Sequence, residues 1–149
     1  MQKDQQIKIK IAVVGAGYIG SVLAAVLAEN GAEVIALDIN KHIVETINLG
    51  KSPVEEPGLE DLILKNVKGG KLKASNDISK ISQADVILLT VGTPLSDDGS
   101  IDKQALRNAI NSISPFVMDN QLVIVKSTVS PYSTENEVAK PLRKKAKVF

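Results

Sequence analysis

The chain has 149 residues, of which 44% are hydrophobic, enough for one domain with a sizeable core. A net charge of +1 and an aromatic content of 3% give no footing for nucleic acid or for an acidic membrane surface as partner. Cys is absent and the one His is His42, which excludes disulfides, thiolate or multi-His metal sites and a cysteine nucleophile within these residues.

The first six residues are polar and lack a signal-peptide hydrophobic region, and no apolar run approaches the roughly 18 residues of a membrane span. The expectation is a cytoplasmic protein. Ile7, Ile9, Ile11 and Val13 alternate as a strand should. Directly after them stands Gly15-Ala16-Gly17-Tyr18-Ile19-Gly20, a G-x-G-x-x-G motif. Val22, Leu23, Val26 and Leu27 then form a helical apolar stripe that ends at Gly31. Residues 33–38 read as the second strand, with Asp38 at its end.

This is the pattern of a dinucleotide-binding βαβ unit, and each part has a physical job. Gly15 permits the tight turn. Gly17 lets backbone approach a pyrophosphate, and Gly20 lets helix pack closely on strand. The free N–H groups and positive pole at the helix start face the phosphates. Asp38, about 20 residues further on, suits the ribose hydroxyls.

A helix over 41–49 follows, ending at Gly50, with His42 at its solvated start. A loop over 51–58 leads into a helix over 59–67, whose first-turn Glu60 and Asp61 suit the helix dipole. Gly69-Gly70 breaks it, and 72–74 reads as a short third strand. Asp77 can cap a helical turn before Asp85. The continuous apolar run 85–91 reads as a central parallel strand. A loop over 92–100 holds Pro94 and an Asp98-Gly99 turn, and Asp102 can cap a helix carrying Ala105, Leu106, Ala109, Ile110 and Ile113. Residues 121–126 read as the fifth strand, and Thr134 with Glu137 as a capping box for a last helix holding Pro141. Arg143, Lys144, Lys145 and Lys147 read as a solvated helix end. Val148 and Phe149 look like a sixth strand cut short, from which a fragment of a longer protein is expected.

The alternation of strand and helix predicts an α/β fold of Rossmann type, a doubly wound parallel sheet in three layers with strand order 3-2-1-4-5-6. Ligands then sit outside the carboxyl ends of strands one and four. Three turns converge there: 15–20 from strand one; Val91, Gly92, Thr93 and Pro94 from strand four; Lys126, Ser127 and Thr128 from strand five.

Four stretches resemble the N-terminal domain of the UDP-glucose/GDP-mannose dehydrogenase family. They are G-A-G-Y-I-G at 15–20, E-P-G-L at 56–59, V-G-T-P at 91–94 followed by D-G-S-I-D, and K-S-T-V at 126–129. The order and spacing of the blocks agree over nearly the whole chain. The resemblance implies NAD bound by Gly15, Ala16, Gly17, Tyr18, Ile19, Gly20, Asp38, Val91, Gly92, Thr93 and Ser127. It implies that Thr128 helps position a water or the substrate C6 oxygen. It further implies oxidation of C6 of a UDP-hexose, UDP-glucose or UDP-N-acetylmannosamine, by an enzyme expected to be a homodimer. The family's cysteine, its lysine and its nucleotide-sugar pocket lie in residues that this chain does not contain. Residues 1–149 are therefore expected to be the cofactor domain alone, monomeric and inactive by itself. Two positions depart from the family. Ile43 stands where a Lys or Arg usually meets the adenosine end of NAD, with Lys41 as the substitute. Tyr132 replaces a glycine, so a different loop backbone is expected. The alternatives are a nucleotide-sensing regulatory domain and a related hydroxyacid dehydrogenase.

Overall fold

Six short strands carry the apolar alternation and the apolar runs: β1 (Lys10–Val14), β2 (Glu33–Leu37), β3 (Leu72–Ser75), β4 (Val86–Leu89), β5 (Gln121–Val125) and β6 (Ala146–Val148). They belong to a computed structural model that describes residues 8–96, 99–142 and 146–149. All neighbours pair in parallel, in the order β3-β2-β1-β4-β5-β6. Val14 pairs with both Leu37 and Leu89, and Leu89 with Val125. The carboxyl ends of four strands thus lie level, and the turns that follow them open onto one edge.

Successive residues of β1 point to opposite faces, and each face is buried, as a parallel sheet requires. Ile11 and Val13 pack with Ala24, Ala25 and Ala28 of α1 (Tyr18–Glu29), Ile47 of α2 (Lys41–Asn48) and Ile63 of α3 (Leu59–Lys68). Ala12 and Val14 pack on the other side with Leu106, Ile110 and Ile113 of α4 (Gln104–Ile113). Val138 and Leu142 close that side, from a π-helical segment (Thr134–Ala139) and the short α5 (Lys140–Leu142). The side of α1 that faces the sheet is made of Gly20, Ser21 and three alanines, so the helix axis lies close to β1.

Local side-chain caps place three of the helix starts. The Asn40 side chain accepts from the His42 N–H at the start of α2, and Asp77 from the Ser79 N–H at a 3₁₀ turn (Ile78–Gln83). Asp102 accepts from the Gln104 N–H at 2.8 Å. The last helix departs from expectation. Thr134 and Glu137 form no capping box, because Glu137 turns outward to Lys103 at 2.8 Å and Arg107 at 3.3 Å. Lys103 Nζ also donates to Ser133 Oγ, and the hydrogen bonds from Lys103 and Arg107 hold the Glu137 carboxyl below its ordinary range. A neighbouring cation outcompetes a local backbone N–H for the carboxylate.

A sixth strand is present beside β5, in the place that the expected strand order gives it. Three residues of β6 pair with Gln121–Val123, and Phe149 continues the ladder through its N–H to the Val123 carbonyl. Lys147 consequently lies in a strand rather than at a helix end, while Arg143, Lys144 and Lys145 fall outside the described residues, as do the N-terminal residues 1–7 and Asp98. Tyr132 takes φ 63°, in the left-handed region that favours glycine, at a cost of about 1–2 kcal/mol. Among the described residues no helix is long and apolar enough to cross a membrane.

Candidate functional site

The level strand ends create a cleft of about 790 Å³, lined by the turns after β1, β2, β4 and β5. Gly15 makes the first turn possible. Its φ is 95°, its N–H donates to the Leu37 carbonyl at 2.8 Å, and a Cβ on it would lie 3.0 Å from the Val91 nitrogen. Gly20 has a different constraint. A Cβ there would sit 1.8 Å from the Gly15 carbonyl oxygen, so the helix can pack this closely only without a side chain. Gly17 is the opposite case, because nothing lies within 4 Å of where its Cβ would be. That position borders the cleft, so the space is empty of protein and open to a ligand.

The start of α1 is left unspent. Gly17 at the N-cap offers no side-chain hydrogen bond, and the first turn carries no acidic residue. Backbone N–H groups and the positive helix pole therefore face the cleft without a protein anion to satisfy them. Tyr18 and Ile19, about half exposed, stand on its rim.

Asp38 follows β2. Its carboxylate accepts from the Ala16 N–H at 2.7 Å and from the Asn40 N–H at 2.9 Å. It therefore braces the glycine turn as well as lining the cleft, and each oxygen keeps a further lone pair for a ligand hydroxyl. Ala16 itself is buried and contributes this N–H rather than a surface.

The hydroxyls placed at the cleft by sequence have a second job. Ser127 Oγ donates to the Val91 carbonyl at 2.7 Å, and Thr93 Oγ1 to the Thr128 carbonyl at 2.7 Å. Each spends its one proton on backbone, which leaves the oxygen's lone pairs as acceptors. Together they cross-link the turns after β4 and β5. Thr90, not singled out from sequence, does the same for the glycine turn through a 2.6 Å bond to the Gly15 carbonyl. Gly92, Lys126 and Thr128 complete the wall.

Lys41 lies exposed at the start of α2 and is not among the residues that line the cleft, so the structure does not join it to the others. Two apolar features escaped sequence reasoning. Ile39, 97% exposed, follows Asp38 at the rim, and it borders an apolar hollow of about 330 Å³ beside Ile78, Ala105 and Ala109. An apolar residue just past the end of β2 was the available signal for it. The hollow lies next to the Asp38 carboxylate, and its lining is mostly apolar.

Residues 9–148 match the model of the UDP-glucose/GDP-mannose dehydrogenase family, NAD binding domain. The chain belongs to this family. Its NAD-binding domain is 38% identical over 129 residues to the UDP-glucose 6-dehydrogenase AglM of Haloferax volcanii, a match covering 85% of this chain and 30% of that protein. A ternary complex of GDP-mannose dehydrogenase from Pseudomonas aeruginosa superposes with a TM-score of 0.88 at 31% identity, over 93% of this chain and 34% of that one. The UDP-N-acetylmannosamine dehydrogenase Cap5O of Staphylococcus aureus gives 0.83 at 33% identity, over 91% and 32%. The chain spans about 30% of the length of these relatives. Membership of this NAD-dependent dehydrogenase family favours it over the nucleotide-sensing and hydroxyacid-dehydrogenase alternatives.

Proposed function

We propose that this NAD-binding domain serves a nucleotide-sugar dehydrogenase that oxidises C6 of a UDP-hexose, UDP-glucose or UDP-N-acetylmannosamine, to the uronic acid. The observation that carries the reading is the uncapped start of α1 facing an open cleft at Gly17, where the space beside the backbone N–H groups is free for a diphosphate. When bound, NAD supplies the hydride acceptor. The residues of this chain bind and orient it. The N–H groups of 17–19 receive the diphosphate, and Asp38 accepts from the adenosine ribose hydroxyls. Ile39 and the neighbouring hollow receive the adenine. Gly92 lets the cofactor lie against backbone. Thr93 and Ser127 present acceptor oxygens. Thr128, exposed at the end of the β5 turn, is placed to orient a water or the C6 oxygen from the sugar side. The whole enzyme is a cytoplasmic homodimer on this reading.

NAD binds in preference to NADP, because the Asp38 carboxylate repels a 2′-phosphate. Asp38→Ala weakens NAD by about 1–3 kcal/mol. Part of that loss comes from freeing the Ala16 N–H, which disturbs both cofactors alike. The ribose contact is read separately, in the ratio of NADP to NAD dissociation constants, which falls toward unity in the variant. Calorimetric titration of both cofactors against both proteins measures it, and an unchanged ratio defeats the ribose assignment.

The 149-residue chain alone does not turn over UDP-sugars. It holds no Cys to carry the substrate carbon, and the advantage of orienting two reactants together is lost. No NADH absorbance develops on mixing the chain with NAD and UDP-glucose or UDP-N-acetylmannosamine. Steady NADH production in proportion to protein overturns this assignment of residues 1–149 as a cofactor domain only.

A further inference from the structure

The Glu56-Pro57-Gly58-Leu59 segment has no part in the site as built so far, yet it reaches the site. Glu56 Oε2 accepts a hydrogen bond from the Tyr18 phenol, 38 residues away in sequence. Tyr18 is the first residue of α1 and lines the cleft. The segment that presents Glu56 is firmly held. Gly58 takes φ 79° to start α3, Leu59 is buried in the core, and Ser52 braces the preceding loop by donating to the Val54 carbonyl at 2.6 Å. The hydrogen bond to Glu56 raises the pKa of Tyr18, aided by desolvation and the carboxylate charge, so the phenol stays protonated and donating.

A helix start is ordinarily steadied by an N-cap side chain, which consumes one of the free N–H groups. Here a cap at Gly17 would occupy the groups that the cofactor needs. We propose that Glu56 is a positioning residue for the cofactor: by latching the Tyr18 side chain from outside, it fixes the first turn of α1 while leaving every N–H there for the diphosphate. The Glu-Pro-Gly-Leu segment is thus the outer half of the cofactor site. This rests on the reading that NAD lies at the glycine turn.

The test uses NAD titration on the unaltered chain, on Glu56→Ala, Glu56→Gln, Tyr18→Phe and the Glu56→Ala/Tyr18→Phe double variant. It is joined to alkaline titration of phenolate absorbance, which is clean because the chain has two Tyr and no Trp. Glu56→Ala and Tyr18→Phe each weaken NAD roughly three- to tenfold, the size of one hydrogen bond. The double variant is no worse than either single one, since both remove the same bond. Glu56→Gln, whose amide oxygen still accepts, retains most of the affinity. In Glu56→Ala the Tyr18 phenol, freed of its carboxylate partner, ionises at lower pH. Binding by Glu56→Ala equal to that of the unaltered chain overturns the proposal, as do multiplying effects in the double variant or an unmoved phenolate titration. If the unaltered chain itself fails to bind NAD, the cofactor reading falls first and takes the latch with it.

Discussion

Gly20→Ala lowers the thermal midpoint, although alanine is the best helix former and the position lies inside α1. Helix propensity alone favours the change by about 1 kcal/mol. Against it stands a methyl carbon 1.8 Å from the Gly15 carbonyl oxygen and 2.9 Å from the Thr90 hydroxyl. The first of these is backbone, and it is already fixed by Thr90, so it cannot turn aside as a flexible side chain would. Overpacking typically costs about 1–3 kcal/mol, and a contact this short with fixed backbone lies at the upper end, about 3 kcal/mol. The net loss of about 2 kcal/mol moves the midpoint down by roughly 4–8 °C. Relief of the clash by displacing the glycine turn also weakens NAD binding. A scanning calorimetry trace with an unchanged or raised midpoint shows that α1 does not lie this close to β1.

Gly17→Val separates binding from folding. The added side chain meets no protein atom near its Cβ, and the extended backbone of residue 17 (φ −68°, ψ −153°) accommodates an L-residue, so stability stays within about 0.5 kcal/mol. The new atoms fill the open space beside the backbone N–H groups, where the diphosphate is proposed to lie. Charge-assisted bonds of this type contribute about 1.5–3 kcal/mol each, so loss of two raises the NAD dissociation constant at least about 100-fold. Circular dichroism and calorimetric titration on one preparation read both quantities. A folded variant that binds NAD normally places the phosphates elsewhere. The two glycines, three positions apart in one motif, thus fail in different ways, one through the fold and one through the ligand.

The glycine turn, Asp38 and the strand order were legible because each rests on local pattern. Alternation and apolar runs mark strands, and G-x-G-x-x-G after a strand has few other uses. What escaped depends on partners far away in sequence. Thr90 reads as one polar residue in an apolar run, and only the fold brings its hydroxyl to the Gly15 carbonyl, 75 residues earlier. Glu137 has the local spacing of a cap, yet its partner is Lys103, 34 residues away. Ser127 and Thr93 were placed at the cleft correctly, but their backbone acceptors across the β4 and β5 turns were invisible without the sheet. Glu56 belongs with these, since nothing in its neighbourhood in sequence points to Tyr18.

The pair of hydroxyl cross-links between the β4 and β5 turns has an entropic consequence. Two loops that would each sample several conformations are joined into one unit at Val91–Ser127 and Thr93–Thr128. Their ordering is charged to the folding of the domain, and little of it remains to be lost when a cofactor arrives. This half of the cleft is preorganised, so a ligand that enters it gains contacts without having to order these two turns.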